Sequence, residues 1–180
     1  MTEFIQRAAL YSRAAHTAVG QLRKYTNEPY WHHPAAVAAL IQGVRHTEEM
    51  VAAAFLHDVV EDTAVTIADI EREFGTVVGS YVFELTDQFT NPALGNRETR
   101  KAMERERLAG IHPNAQTIKY ADLIDNTSSI VAHDQAFARV YLNEKRKLLN
   151  VMVDGDQELW QRAWAAMVEG ERKLKEWGYD

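Results

Sequence analysis

Cysteine is absent from the 180 residues of the chain. Its absence excludes disulfides, thiolate metal sites and cysteine nucleophiles, so the protein ligands of any metal must be His, Asp or Glu. It is also compatible with a reducing compartment, and we expect a cytoplasmic protein. Proline and glycine are few, with four and nine residues, and no linker-like tract interrupts the chain. We therefore expect a single domain over residues 1–180.

Long apolar runs are missing as well. No stretch of about 18 apolar residues occurs, so we expect no membrane-spanning helix and no membrane partner. Residues 1–7 include Glu3 and Gln6, so we expect no signal peptide. The 20 Lys and Arg residues are outnumbered by 26 Asp and Glu residues, which gives a net charge of −6. This charge argues against a nucleic-acid partner, and an anionic small-molecule substrate would need a local basic cluster or a metal.

Strand-like alternation is not found over any usable length, whereas apolar residues recur at helical spacing. We predict an all-α domain, a bundle of roughly eight to ten helices. The predicted helices cover residues 3–24, 33–42, 77–85, 97–109, 115–130, 135–152 and 156–176, with a short one between Thr66 and Gly75 and a central one after Thr47. The predicted N-caps are Thr47, Thr66, Asn96, Asp134 and Asp156.

The central helix contains the densest group of chemically reactive side chains. Its apolar residues 51–56 predict a helix that enters the core. His57, Asp58, Glu61 and Asp62 follow, and at 3.6 residues per turn they lie within an arc of about 140°. This group is unfavourable at the end of an apolar helix unless it is neutralised, as by a divalent cation. The alternative is a helix end that emerges into water with solvated acids.

A second polar group lies on the predicted helix over residues 115–130. Lys119, Asp122 and Asn126 are spaced so that they share one face within about 60°. They are either a solvated stripe or, because the rest of this helix is largely apolar, a buried polar group.

His33 precedes a proline at the start of another predicted helix. By itself it is either a metal ligand or a surface or capping histidine. Taken together, His33, His57, Asp58 and Asp122 would provide two nitrogen and two oxygen ligands. Such a mixed set suits Mn²⁺, Fe²⁺ or Zn²⁺ better than Ca²⁺.

Four stretches of the sequence carry a resemblance to a known family. The first stretch is Gln21-Leu-Arg-Lys-Tyr-Thr-Asn-Glu-Pro-Tyr-Trp-His-His-Pro34, which is similar to the family's Arg-Lys…Glu-Pro-Tyr-x-x-His-Pro. The second is Ala54-Phe-Leu-His-Asp-Val-Val-Glu-Asp-Thr63, which is similar to His-Asp-x-x-Glu-Asp-Thr. The third stretch is Phe74-Gly75 with the valines that follow. The fourth is Ile118-Lys-Tyr-Ala-Asp-Leu-Ile-Asp-Asn126, which is similar to Lys-x-Ala-Asp-x-x-x-Asn. On these motifs the chain resembles the HD-domain metal phosphohydrolases. Among them it is similar to the alarmone hydrolases, which comprise the hydrolase half of Rel/Spo-type enzymes and small stand-alone forms such as the metazoan SpoT homologs.

The resemblance implies a set of roles for individual residues. One Mn²⁺ ion, with Fe²⁺ or Zn²⁺ as alternatives, would be held by His33, His57, Asp58 and Asp122. Glu61 and Asp62 would be the catalytic carboxylates. The residues facing the nucleotide would be Arg23, Lys24, Lys119 and Asn126. The implied activity is that of a guanosine-3′,5′-bis(diphosphate) 3′-pyrophosphohydrolase, which hydrolyses (p)ppGpp to GDP or GTP and pyrophosphate.

Two alternatives to this activity stay open, and departures from the family pattern bear on the first of them. Asn27 stands where the family often has Gly, and Thr86-Asp-Gln-Phe-Thr90 replaces Gly-Val-Thr-Lys. These differences concern nucleoside recognition, so one alternative is a phosphohydrolase acting on an adenosine alarmone or NADPH. The other is a non-catalytic nucleotide-binding module, which would not need Glu61 and Asp62.

His133-Asp134 repeats the dipeptide of the central helix in a different setting. No carboxylates follow it four residues later. We therefore interpret it as a helix–helix connection with a capping aspartate.

Overall fold

The computed structural model describes residues 1–179. Within this range it contains ten α-helices, one short 3₁₀ helix (Pro92–Leu94) and no β-strand beyond a single bridge between Leu22 and Pro29. The predicted all-α class and the predicted number of helices are confirmed.

Residues Met1–Thr86 form one compact unit. Its helices are α1 (Glu3–Ala18), α2 (His32–Gln42), α3 (Glu48–Leu56), α4 (Val59–Asp62), α5 (Ile67–Phe74) and α6 (Thr76–Leu85). Helix α3 is central, because α1, α2 and α6 all pack against it. Every residue from Met50 to Leu56 is buried, as the apolar run predicts.

Hydrogen bonds at the helix starts explain where these helices begin. Thr47 accepts a bond from the backbone N–H of Met50 at 3.3 Å. Thr66 and Asp69 form a reciprocal capping box at the start of α5. Both N-cap predictions are confirmed, and each such cap typically contributes about 1 kcal/mol.

Residues Asp87–Asp180 form the second compact unit. Its helices are α7 (Arg97–Leu108), α8 (Pro113–His133), α9 (Gln135–Leu149) and α10 (Gln157–Glu176). Helices α8, α9 and α10 pack against one another around an apolar cluster that includes Leu142 and Met167. The side chains of Asn96, Asp134 and Asp156 cap α7, α9 and α10 as predicted.

The first helix is shorter than predicted, since it ends at Ala18 and not at residue 24. Gly20 has φ +64°, a left-handed conformation that glycine adopts readily. The N–H of Gly20 donates to Thr17 O, and the N–H of Gln21 donates to His16 O at 3.1 Å. These bonds are typical of a helix that is terminated by glycine. Gly20 was therefore the sequence feature that predicts the observed C-terminus of α1.

The central helix is also not continuous. It breaks into α3 and α4 at His57 and Asp58, where Asp58 has φ −98° and ψ −6°. This sparsely populated backbone region is one in which active-site residues often lie. The break turns the Asp58 side chain out of simple helical register, a feature that hydrophobic periodicity does not encode.

None of the helices within residues 1–179 combines the length and apolar character needed to cross a membrane. The single-domain organisation over residues 1–180 stays a prediction.

Candidate metal centre

Three predicted ligands come together in the first unit. His33 lies in the first turn of α2, and His57 and Asp58 lie at the break between α3 and α4. One ligand atom from each of the three residues lies within 4.8 Å of those of the other two. Asp58 Oδ2 is 3.1 Å from His57 Nε2 and 3.5 Å from His33 Nε2. Both histidines are only 2% exposed.

The orientation of the His57 ring is set by the backbone. Its Nδ1 lies 2.8 Å from the carbonyl oxygen of Ala54. Because a carbonyl oxygen only accepts, Nδ1 carries the proton, and in the neutral ring Nε2 directs a lone pair towards the Asp58 carboxylate. Histidines that bind metals commonly donate their other ring N–H to a carbonyl in this way.

Asp58 is positioned by a residue that sequence reasoning missed. The hydroxyl of Tyr30 donates to Asp58 Oδ2 at 2.6 Å. The Tyr30 ring also meets the His33 ring edge-on, with centroids 5.7 Å apart. The tyrosine of the Glu-Pro-Tyr motif therefore orients two of the three clustered side chains. Its place in that motif was the sequence feature that could have identified it as a site residue.

The two predicted catalytic carboxylates, Glu61 and Asp62, lie at the end of α4 and are exposed at the residue level. Gln21 Nε2 donates to Asp62 Oδ2 at 2.9 Å. Partial burial of its carboxyl group raises the pKa of Asp62; the nearby negative charge of Asp58 acts in the same direction, and the hydrogen bond from Gln21 opposes it. A raised carboxyl pKa suits proton transfer near neutral pH.

Arg23 and Lys24 lie in the loop over residues 21–30, which runs from α1 to α2. The N–H of Arg23 donates to Glu28 O at 2.8 Å, and the N–H of Asn27 donates to Arg23 O at 3.0 Å. Asn27 has φ 57°, a left-handed conformation that suits the glycine often found at this position in the family and that Asn tolerates better than most residues. Lys24 is exposed, with its ammonium 4.7 Å from the centre of the Tyr25 ring.

The remaining predicted site residues belong to the second unit, on α8. Asp122 is 5% exposed. Lys119 Nζ lies 2.9 Å from Asp122 Oδ2, and Asn126 Nδ2 donates to Asp122 Oδ1 at 2.5 Å. The three side chains thus share one face, as their spacing predicts, and Asp122 is buried. Their functional roles stay predictions.

Asp87 adds to the polar character of the second unit. Lys101 donates to its carboxylate at 2.7 Å. Burial would raise the pKa of Asp87, but the positive charges of Lys119 and Lys101 outweigh this and hold the pKa below its usual value. Sequence reasoning did not identify Asp87 or Lys101 as a pair, because 14 residues separate them.

The profile of the HD domain family matches residues 8–142, a range that includes the clustered histidines and aspartate. The chain belongs to the HD domain family. The His/Asp cluster of this HD domain is compatible with binding a divalent metal ion.

Several known proteins resemble this HD domain, among them the following two relatives and one solved structure. A probable guanosine-3′,5′-bis(diphosphate) 3′-pyrophosphohydrolase of Synechocystis is 48% identical over 66 residues, which are 37% of this chain and 9% of that protein. The mouse guanosine-3′,5′-bis(diphosphate) 3′-pyrophosphohydrolase MESH1 is 37% identical over 116 residues, 63% of each chain. The structure of a metazoan ortholog of SpoT, a protein that hydrolyzes ppGpp and plays a role in starvation responses, has a TM-score of 0.83 and 26% identity. That match covers 94% of this chain and 96% of the other, whereas the sequence matches span less than two thirds of either relative.

Proposed function

We propose that this HD domain is a metal-dependent hydrolase that removes the 3′-pyrophosphate of (p)ppGpp. The products would be pyrophosphate and GDP or GTP. The observation that carries the proposal is the likeness, over 94% of the chain, to a metazoan SpoT ortholog that hydrolyzes ppGpp. The buried His33–His57–Asp58 cluster supports it, because phosphate-ester hydrolysis is a common use of such a site.

The proposed metal ligands are His33, His57, Asp58 and Asp122. The first three are supported by their clustering and by the orientation of the His57 ring. Asp122 is proposed on the Lys-x-Ala-Asp-x-x-x-Asn motif and on its burial. We propose one Mn²⁺ ion, with Fe²⁺ or Zn²⁺ as alternatives, since nitrogen and oxygen ligands together suit these ions. When bound, such an ion acidifies water and offsets negative charge on phosphate oxygens.

Glu61 and Asp62 are proposed as the carboxylates that orient the attacking water and accept its proton. Asp62 is the better supported of the two as the general base. Its pKa is raised by partial burial and by Asp58, and a base with a pKa nearer to neutrality transfers protons more effectively at physiological pH.

The nucleotide is proposed to contact Arg23, Lys24, Lys119 and Asn126. The 21–30 loop presents two successive cations in a chain whose net charge is −6. Arginine and lysine are the usual protein partners of phosphate groups. Lys119 is half-buried beside Asp122, where it would supply a third positive charge.

A panel of nucleotides tests the substrate. Purified protein loaded with Mn²⁺ would be given ppGpp, pppGpp, the adenosine equivalent and NADPH, and the products separated by ion-exchange chromatography. We expect pyrophosphate and GDP from ppGpp, with Asp134→Asn as a control that retains full activity and Asp58→Asn as an inactive variant.

The other outcomes separate the alternatives. Orthophosphate as the main phosphorus product, with NADPH the better substrate, would assign the site to a different nucleotide. Tight nucleotide binding with no product from any member of the panel would indicate a binding module. The cytoplasmic location stays a prediction.

A further inference from the structure

A buried histidine lies behind the proposed catalytic carboxylates. His16, near the end of α1, is 1% exposed. Its Nδ1 is 2.7 Å from Gln21 Oε1. A carboxamide oxygen only accepts hydrogen bonds, so Nδ1 of His16 carries the proton. The other ring nitrogen, Nε2, is buried without a hydrogen-bond partner among residues 1–179, so the hydrogen bond described for this ring is the one at Nδ1.

The carboxamide of Gln21 connects this histidine to Asp62. Its Oε1 faces His16, and its Nε2 donates to Asp62 Oδ2 at 2.9 Å. The reversed amide would place Oε1 against the Asp62 carboxylate, where two acceptors repel each other, and the observed orientation is the one that an Nδ1–H of His16 matches. The two partners therefore fix the amide in one orientation.

The backbone of Gln21 is held just as firmly. Its N–H donates to His16 O at 3.1 Å, and its carbonyl oxygen accepts from the N–H of Tyr30 at 3.1 Å. Gln21 is thus tied to the end of α1 and to the tyrosine that orients Asp58. The backbone from which the Gln21 side chain reaches Asp62 is therefore held in place.

Asp62 needs an external donor of this kind. It is the last residue of α4, a helix of a single turn whose N-cap position is held by Asp58, and a carboxylate caps backbone N–H groups from the N-cap position. A capping role for Asp62 is therefore not favoured by its position. The donor that orders it comes from a residue 41 positions earlier in the chain.

We propose that Gln21 is a positioning residue for Asp62 and that His16 fixes the orientation of the Gln21 amide. This inference rests on the proposed function, in which Asp62 handles the proton of the attacking water. Gln21 holds one carboxylate oxygen, so the other oxygen is left to accept that proton. His16 acts one step further back and touches neither substrate nor reacting atoms.

Steady-state kinetics on ppGpp with Gln21→Met tests the positioning role. Methionine keeps the length of the side chain but cannot donate to Asp62. We expect kcat to fall by roughly 10- to 100-fold, a part of what a positioned general base contributes, with KM changed by less than about threefold. His16→Phe should lower kcat by a smaller factor. The matched control is Gln6→Met. It removes another glutamine amide of the first unit, one that donates to Met1 O, and it should leave both constants unchanged.

A double-mutant cycle separates positioning from a general loss of structure. In an Asp62→Asn background, Gln21→Met should change the residual kcat by less than about twofold, because the residue acts through Asp62. An equal loss in both backgrounds, or a wild-type kcat for Gln21→Met, would overturn the proposal.

A spectroscopic readout keeps this inference distinct from the proposed function. If the wild-type protein does not hydrolyse ppGpp, the proposed function fails. NMR then tests separately whether the hydrogen bonds from His16 to Gln21 and from Gln21 to Asp62 exist in solution. We expect the ¹⁵N spectrum of wild type to show His16 protonated at Nδ1, and Asp62→Asn to shift the side-chain amide protons of Gln21. The proposal would be refuted by a His16 ring that is protonated only at Nε2. It would also be refuted if Asp62→Asn left the chemical shifts of the Gln21 side-chain amide protons unchanged.

Discussion

At the scale of single residues, the one turn of α4 separates carboxylates in two different environments. Asp58 lies within 3.5 Å of both clustered histidines, whereas Glu61 and Asp62 come one turn later and are exposed. Only the first position belongs to the described ligand cluster. We therefore propose that the later carboxylates act on water and not as ligands.

The amide variants Glu61→Gln and Asp62→Asn test this division of roles. Each keeps the size of the side chain but removes its capacity as a base. We expect kcat on ppGpp to fall by about 10²- to 10⁴-fold for the residue that is the general base, with bound metal retained. Single-turnover kinetics and metal content should be measured on the same samples. Metal lost in parallel with rate would make these residues ligands, and near wild-type turnover in both would leave them as charge-balancing acids.

A buried lysine in α9 is the most unusual single residue of the second unit. Lys145 is 1% exposed, and its ammonium group donates to Leu123 O at 2.9 Å and to Thr127 Oγ1. Burial lowers the pKa of Lys145 to about 7, with Asp122 opposing the shift. A neutral amine still has two N–H groups for its two acceptors, so deprotonation breaks neither bond.

The lowered pKa predicts how stability depends on pH. Between pH 7 and pH 10.5 the unfolded chain binds a proton at this lysine that the folded chain does not, so the free energy of unfolding rises with pH. The gain should be roughly 2 kcal/mol between pH 7 and pH 9. Urea unfolding of wild type and Lys145→Met at both pH values measures it, with the exposed Lys147→Met as control. Equal pH dependence in wild type and Lys145→Met would contradict the prediction.

At the scale of elements, most helices and their N-caps follow directly from the sequence. Thr47, Thr66 and Asp156 are short polar residues before apolar periodic runs, and each caps its helix. Local spacing also places Asp122 beside Lys119 and Asn126. These features were predictable because both partners of each interaction lie within about two turns of one helix.

Interactions that join distant residues were not predictable in this way. The bond from Gln21 to Asp62 and the bond from Tyr30 to Asp58 each cross a large sequence separation. The break between α3 and α4 at Asp58 accompanies such contacts, and the helix propensities of the residues around it do not predict it. Clustering of His33 with the central motif was expected from the family resemblance and from the ligand chemistry, not from periodicity.

The 21–30 loop allows an element-scale prediction. Asn27 has φ 57°, and a left-handed conformation disfavours residues with a Cβ by roughly 1–2 kcal/mol, with Asn better tolerated than most. We expect Asn27→Gly to keep or slightly raise stability, and Asn27→Ala to lower it by about 1 kcal/mol. Chemical denaturation measures both, and Asn143→Ala, at an exposed position within α9, is the control. A more stable Asn27→Ala variant would argue against the observed turn.

At the scale of the whole molecule, a metal ion bound to the folded state should raise the melting temperature. The chain carries a net charge of −6, and the buried cluster brings a carboxylate close to two imidazoles. Binding to the folded state alone stabilises by mass action, about 2.7 kcal/mol when the free ion is at 100 times its Kd. For a protein of this size, that corresponds to roughly 5–10 °C.

Calorimetric melting with and without Mn²⁺ tests the complete ligand set, because it depends on binding and not on turnover. We expect Asp58→Asn to abolish the metal-induced rise, although asparagine can still accept the bond from Tyr30. The control is Asp134→Asn, the same change in the repeated dipeptide, which keeps a good helix cap and should respond like wild type. Asp122→Ala should lose most of the rise if Asp122 is the fourth ligand, and metal analysis of the same samples should show the ion lost. A full response in Asp122→Ala would restrict the centre to His33, His57 and Asp58, which are already sufficient to form a three-ligand site.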